Sequence, residues 1–146
     1  MLVSDYVTEA SDRLVVVEPD LAVREVAERL SQPGVDLVVV ADAKSVLGVV
    51  TDNDIVAWAA TDPLAEPQAN AASLMTKEVF SCHPDQALGS VVKQAAGRGL
   101  KHFPIIGHDG MAIGVVYVTE ALIRLEKEDQ LSSESLLDYI RGGGSY

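Results

Sequence analysis

The sequence predicts a mixed α/β fold made of two similar halves, and three observations support this prediction. Apolar residues make up 48% of the 146 residues and aromatic residues only 5%, which provides for a core of aliphatic side chains. Short apolar runs alternate with helical stripes, a pattern typical of small sheets covered by helices. The pattern also occurs twice, with Pro19-Asp20 recurring as Pro84-Asp85 and Gly48-Val49-Val50 recurring as Gly114-Val115-Val116.

Each half is expected to run helix–β–α–β–β–α. A short helix opens each half, at residues 4–8 and 72–76, and a strand ending at Pro-Asp follows it. Asp20 and Asp85 are the kind of residue that caps a helix, so we expect them to start the next helices. Gly34 lies just beyond the first of these helices, where a terminating glycine is favoured.

The two long helices are predicted from apolar residues spaced i, i+3, i+4 and i+7. In the first half these residues are Val23, Val26, Ala27 and Leu30. In the second half they are Leu88, Val91, Val92 and Ala95, with Gly99 after the helix.

Continuous apolar runs at residues 37–40 and 103–106 predict strands that are covered on both faces. Each run is followed by a turn and a second strand, at residues 46–50 and 112–116, which completes a hairpin. One half cannot cover its small three-stranded sheet alone, so we expect two β-α-β-β-α repeats packed about a pseudo-twofold axis. Thr51 or Asp52 is expected to cap the helix after the first hairpin, and Thr119 the helix after the second.

These elements divide the chain into a first repeat at residues 1–60, a linker at 61–70 and a second repeat at 71–125. The linker contains two prolines and has no periodicity. Residues 126–146 form an extension with apolar positions and a glycine-rich end. The apolar positions favour a helix that packs on a dimer mate, and docking back on the same chain is the alternative.

The charge excludes several classes of partner. A formal net charge of −11 and an isoelectric point near 4.5 argue against binding to nucleic acids or anionic membranes. The single cysteine rules out an internal disulfide, and no apolar run approaches the length of a membrane span. We therefore expect a cytoplasmic protein.

Neither an enzyme nor a metal site is expected. His83, His102 and His108 have no neighbouring ligands at metal spacing. Cys82 lies in a predicted strand, where adjacent side chains point to opposite faces, so His83 is not placed to activate it. The chain also contains no phosphate loop, nucleophile elbow or HExxH helix.

The order of these motifs resembles a tandem pair of CBS domains, the Bateman module, in the form of a small stand-alone bacterial protein. The resemblance covers about residues 1–125 and rests on Met75-Thr76, the two Pro-Asp pairs, the strand containing Pro104, and the stretch Gly48–Asp54. That stretch follows the pattern glycine, two apolar residues, Thr or Ser, two variable residues and Asp.

The resemblance implies a regulatory module that acts as a homodimer through an unknown protein partner. It implies an adenosine-type ligand, AMP, ADP, ATP, NAD or S-adenosylmethionine, bound in two clefts between the repeats, with no metal required. The alternative is a structural or protein-interaction module without a ligand, whose clefts are degenerate.

The favoured site, cleft one, follows from the first motif. By the resemblance, Thr51 donates to a phosphate and Asp54 accepts from the ribose hydroxyls, as suits a carboxylate facing two adjacent hydroxyls. The second repeat is expected to supply the other side of the cleft. Its residues there are Thr76, Glu78, Val79 and Leu100.

Cleft two departs from the family pattern. Its motif is GVVYVTE, in which Tyr117 replaces the Thr and Glu120 replaces the Asp. Tyr117 would fill the space that a phosphate needs, so this cleft is expected to be degenerate. The residues that the resemblance places around it are Thr8, Arg13, Val35, Lys101, His102, Tyr117 and Glu120.

The basic residues before the apolar strands also differ between the repeats. The second repeat has Lys101-His102, whereas the first has Asp36-Leu37. Cleft one is therefore expected to lack a basic partner and to repel a polyphosphate unless Mg²⁺ bridges the charges. This favours a weakly charged adenosine ligand, or one held by backbone donors, over tightly bound ATP.

Overall fold

The computed structural model describes residues 1–61, 64 and 67–128, so the predicted extension after Glu128 lies outside the described residues. The first half contains α1 (Val3–Ser11), β1 (Val16–Val17), α2 (Val23–Leu30), β2 (Leu37–Ala41), β3 (Val46–Thr51) and α3 (Asp52–Ala59). The second half contains α4 (Ala71–Leu74), α5 (Leu88–Gly97), β4 (His102–Ile106), β5 (Ala112–Tyr117) and α6 (Val118–Lys127). The predicted mixed α/β class is confirmed.

The two sheets differ in size. In the first half β2 pairs in parallel with β1 and antiparallel with β3, which gives the predicted three-stranded sheet. In the second half β4 and β5 form an antiparallel hairpin. The segment expected to supply a third strand contributes only one parallel bridge, between Cys82 and Ile105.

Two predicted caps are wrong for the same reason. Helices α2 and α5 take Ala22 and Ala87 as their N-caps, not Asp20 and Asp85. Each alanine forms an isolated bridge with the residue just before the leading helix of the other half. This pairing keeps the backbone extended two residues beyond the aspartates, so their side chains are too early in the chain to cap.

The two helices that follow the hairpins begin in different ways. Thr51 is the N-cap of α3, as predicted. Helix α6 instead begins directly after Tyr117, so Thr119 lies inside its first turn and is not the cap. The strand thus continues to the helix without the capping residue that the first motif supplies.

The leading helix of each half packs on the other half. Val3, Tyr6 and Ala10 of α1 belong to the core of the second half, together with residues of α5, β4, β5 and α6. Ala71 and Leu74 of α4 belong to the core of the first half. This exchange ties the two repeats together.

Glycine makes this exchange possible at equivalent positions. A Cβ atom at Gly48 would lie 2.7 Å from the carbonyl oxygen of Thr76, and one at Gly114 would lie 2.8 Å from the Cβ of Ala10. Both distances are too short for real side chains. The glycine of each repeat motif therefore lets the incoming segment of the other half approach the hairpin.

Both faces of β2 are buried, as its continuous apolar sequence predicts. Val38 and Val40 pack with the helices of the first half. Leu37 and Val39 face the other way and pack with Val115 and other residues of the second hairpin. This layer between the two hairpins positions the ends of the strands, where the candidate site lies.

Candidate functional site

A cleft of about 530 Å³ opens at the end of β3, between the two halves. All six residues predicted for cleft one line it: Thr51, Asp54, Thr76, Glu78, Val79 and Leu100. The remaining lining residues are Asp36, Leu37, Val49, Asp52, Asn53, Phe80, Gly99, Lys101, His102 and Pro104. We keep the name cleft one for this cavity.

Asp54 is held at the boundary between the repeats. Its Oδ2 accepts a hydrogen bond of 2.9 Å from the backbone N–H of Thr51, which fixes the carboxylate against the start of α3. Its Oδ1 accepts a hydrogen bond of 3.2 Å from the hydroxyl of Thr76, in the other half. Carboxylate oxygens accept more than one hydrogen bond, so Asp54 can still accept from a ligand.

Thr76 is itself fixed by the first hairpin. Its N–H donates to the carbonyl of Val49 at 2.8 Å, and the N–H of Val49 donates back to its carbonyl at 3.1 Å. Gly48 lies beside this bridge and leaves room for it. The first motif therefore positions both sides of cleft one, its own aspartate and the threonine of the partner repeat.

Lys101 and His102 line cleft one, which corrects the expectation that its wall has no basic residue. The hairpins pack face to face, so the start of β4 lies beside the same cavity as the start of β2. His102 is half-buried and its ring lies 5.6 Å from the ring of Tyr117. Burial lowers the pKa of His102, while the Asp36 carboxylate opposes that shift.

Tyr117, which was predicted to fill cleft two, is hydrogen-bonded to the first half. Its hydroxyl donates to the carbonyl of Gly34 at 3.0 Å and accepts from the N–H of Asp36 at 2.8 Å. The side chain is buried, and this burial raises the pKa of its hydroxyl. The phenol is therefore protonated at neutral pH and serves as an internal donor.

Arg13 contacts two of the other residues predicted for cleft two. Its guanidinium forms an ion pair with Glu120, donates to the carbonyl of Gly34 at 2.9 Å, and lies 4.8 Å from the centre of the Tyr117 ring. The groups expected to meet a ligand thus satisfy one another. Of the other residues expected there, Val35 packs with the core of the first half and Thr8 is exposed on α1.

A side pocket adjoins cleft one, and sequence reasoning did not predict it. It also measures about 530 Å³ and adds Ser81 and Arg98 to Glu78, Val79, Phe80 and Leu100, which it shares with cleft one. Residues 78–81 form no regular strand, so the alternation of a strand could not be used to predict that Phe80 lines this space.

Other candidate chemistry is not assembled. Cys82 is fully buried in the core of the second half, and burial raises the pKa of its thiol to about 12, which suppresses the reactive thiolate. Across the described ranges, no three His, Cys, Asp or Glu residues are grouped so that they could hold a metal ion. No helix in that part of the chain has the length and hydropathy to span a membrane.

Two relatives of uncharacterised function match most of the chain. The sequence is 27% identical over 112 residues to a 17.7 kDa protein of Acidianus ambivalens, covering 76% of this chain and 66% of that protein. It is 25% identical over 99 residues to a protein of Methanopyrus kandleri, covering 67% and 50%. The chain therefore spans between half and two thirds of the length of these relatives.

Solved structures share the fold over nearly their whole length. A CBS-domain containing protein from Agrobacterium tumefaciens superposes with a TM-score of 0.70 at 26% identity, covering 85% of this chain and 98% of that one. CBSX2 of Arabidopsis thaliana, in complex with AMP, gives 0.70 at 22% identity, covering 86% and 98%. A CBS domain pair solved with 5′-methylthioadenosine and S-adenosyl-L-methionine gives 0.69 at 20% identity, covering 88% and 98%.

The family model for the CBS domain matches the chain twice, at residues 3–61 and 71–127. These two matches coincide with the two halves that exchange their leading helices, and together they cover most of the sequence. The chain belongs to the CBS-domain family, as a tandem pair.

Proposed function

We propose that this CBS pair is a regulatory module that binds one adenosine-type ligand per chain, in cleft one. The observation that carries the proposal is the position of Asp54, a carboxylate held by both repeats at the mouth of a cavity of about 530 Å³. AMP, 5′-methylthioadenosine and S-adenosyl-L-methionine in the solved CBS pairs support an adenosine ligand for this chain.

Each part of the ligand has a matching group. Asp54 accepts hydrogen bonds from the two ribose hydroxyls, a geometry that suits a carboxylate. Thr51 and Thr76 add hydroxyls at the same end of the cleft. Leu37, Val49 and Pro104 line cleft one but not the side pocket described above, and they provide apolar surface against which the adenine ring packs.

A ligand in cleft one contacts both repeats, which makes it suited to regulation. Binding would favour the relative arrangement of the repeats in which Asp54 and Thr76 face the same ligand. The signal would pass to a protein partner or through a homodimer. Exposed apolar side chains on α3 and α6, Val56 and Ile123, support such an interface.

Isothermal titration calorimetry of AMP, ADP, ATP, NAD, 5′-methylthioadenosine and S-adenosylmethionine tests the ligand. We expect D54N to weaken binding about tenfold or more, since it removes one charged acceptor. D20N is the matched control, because Asp20 is exposed and lies outside cleft one. A ligand at one hundred times its Kd should also add about 2.7 kcal/mol to the free energy of unfolding.

The outcome also decides between the two functions. A Kd of about 1 mM corresponds to a binding free energy of only about 4 kcal/mol. If the wild-type protein binds none of these ligands even this weakly, the sensor proposal fails. The hydrogen bond from Tyr117 to Gly34 then supports the alternative, a structural or protein-interaction module without a ligand, whose clefts are degenerate. The homodimer is tested by light scattering, in which a mass of 15.5 kDa would contradict it.

A further inference from the structure

The charge on the walls of cleft one is predominantly negative. Four carboxylates line it, and among the described residues of its wall Lys101 alone has a permanent positive charge. His102 is half-buried, and burial holds its pKa below the ordinary value, so it adds little positive charge at neutral pH. The carboxylates are those of Asp36, Asp52, Asp54 and Glu78.

The start of α3 does not compensate for this charge. A helix N-terminus normally favours an anion such as a phosphate. Here Asp52 and Asp54 already occupy the first turn, and Asp54 accepts the N–H of Thr51. The backbone end that could receive a phosphate is therefore already supplied with carboxylates.

The side pocket carries both signs of charge. Glu78 and Arg98 line it together with Ser81, and no ion pair of the described residues joins Glu78 to Arg98. The guanidinium of Arg98 is held over the ring of Phe80, 5.0 Å from its centre. A carboxylate and a guanidinium on one pocket match the ammonium and the carboxylate of an amino acid.

We propose that cleft one and its side pocket select an adenosine whose 5′ arm ends in an amino-acid zwitterion, as in S-adenosylmethionine, over an adenosine phosphate. The inference rests on the proposed function, since it requires adenosine at Asp54. Arg98 binds the carboxylate of the arm and Glu78 binds its ammonium group. The sulfonium lies in the negative field of the aspartates, where phosphates are repelled.

Calorimetry with S-adenosylmethionine, 5′-methylthioadenosine, AMP and ATP, without Mg²⁺, tests this selectivity. We expect S-adenosylmethionine to bind about tenfold or more tightly than AMP, and AMP more tightly than ATP, since each further negative charge adds repulsion. Added salt should narrow the gap, because it screens that repulsion. D36N should improve AMP binding, since it removes one of the opposing charges.

Variants of the side pocket separate the arm from the nucleoside. R98Q and E78Q should each weaken the binding of S-adenosylmethionine about tenfold, because each removes one charged hydrogen bond. R98Q should leave the binding of 5′-methylthioadenosine unchanged, since this ligand lacks the amino-acid arm and Arg98 lines the side pocket but not cleft one, and this unchanged binding shows that cleft one is intact. K93Q is the matched control on α5, because Lys93 is exposed and lines neither cavity.

Failure of the proposed function and failure of this inference give different experimental results. If none of the four ligands binds, the proposed function fails and this inference fails with it. If AMP or ATP binds as tightly as S-adenosylmethionine and D54N still abolishes binding, the function stands and the charge selectivity is overturned. If S-adenosylmethionine is preferred but R98Q and E78Q have no effect on it, the assignment of the side pocket is overturned.

Discussion

The hydroxyl of Tyr117 donates a hydrogen bond of 3.0 Å to the carbonyl of Gly34, joining the end of β5 to the segment before β2. The same hydroxyl accepts from the N–H of Asp36, whose side chain lines cleft one. One side chain of the second motif therefore fixes part of the wall of cleft one. It links the residues predicted for cleft two to cleft one.

Y117F tests this connection, because it removes the hydroxyl and keeps the ring. We expect a loss of about 1–2 kcal/mol in the free energy of unfolding, since the part-buried N–H of Asp36 loses its acceptor and the carbonyl of Gly34 keeps only the donor from Arg13. Urea denaturation measures this loss. Hydrogen exchange should also accelerate at the amide of Asp36, while the amide of Val118, which donates to Lys101, is the internal control. Unchanged exchange at Asp36 would contradict the connection.

G48A should disturb both the fold and the site. Its Cβ would lie 2.7 Å from the carbonyl oxygen of Thr76 and 2.9 Å from the sulfur of Met75. Such crowding typically costs about 1–3 kcal/mol. Because the displaced Thr76 also donates to Asp54, ligand binding in cleft one should weaken as well. Thermal unfolding and calorimetry on the same samples measure the two effects.

Two further glycines are matched controls. The Cβ of G114A would lie 2.8 Å from that of Ala10, so this variant should lose similar stability but retain ligand affinity, since Gly114 does not line cleft one. The Cβ added by G89A, in the first turn of α5, would have no atom of the described residues within 4 Å of it. This variant should therefore leave the free energy of unfolding unchanged or raise it by up to about 1 kcal/mol. If G114A weakened ligand binding as much as G48A does, the explanation that G48A acts by displacing Thr76 would be wrong.

The sequence allowed the elements that depend on local pattern to be predicted. The apolar stripes of α2 and α5 face the core, and the run that forms β2 is buried on both faces, as expected. The caps at Asp20 and Asp85 were wrong because long-range bridges, which leave no local signature, set where the helices begin.

The candidate site was predictable only in part, for a similar reason. The six residues of cleft one follow the repeat motif, and they do line one cavity. Lys101 and His102 reach that cavity because of how the hairpins pack face to face, which no spacing along the chain reveals. Arg98 and Phe80 meet in the side pocket through an irregular segment, so periodicity carried no signal for them.

Two buried acidic groups should make the protein sensitive to alkali. Burial raises the pKa of Cys82 from 9.0 to about 12 and that of Tyr6 from 10.0 to about 12. As pH rises, the unfolded chain therefore loses these protons before the folded chain does. The two buried protonated groups contribute fully to the free energy of unfolding below pH 9, and this contribution falls as pH rises toward 12. Each group can lower the free energy of unfolding by up to about 1.4 kcal/mol per pH unit in that window.

Urea denaturation between pH 8 and about pH 11 measures this dependence. C82A should remove the part that begins near pH 9, and Y6F the part that begins near pH 10. In the native protein below pH 9, Cys82 should also react slowly with a thiol reagent and become fully reactive in urea. A stability that stays flat up to pH 11, or rapid native labelling, would contradict the burial of these groups.

We expect replacement of Tyr117 and Glu120 to open cleft two. The double variant Y117T/E120D restores the Thr and Asp of the first motif, removes the ring that Arg13 lies against, and shortens by one methylene the side chain whose carboxylate pairs with Arg13. Arg13 would then serve as a basic partner for a ligand. We expect calorimetry to show a second ligand bound per chain, and in the D54N background the new site alone should remain. A folded double variant that still binds one ligand would show that Tyr117 and Glu120 are not what closes cleft two.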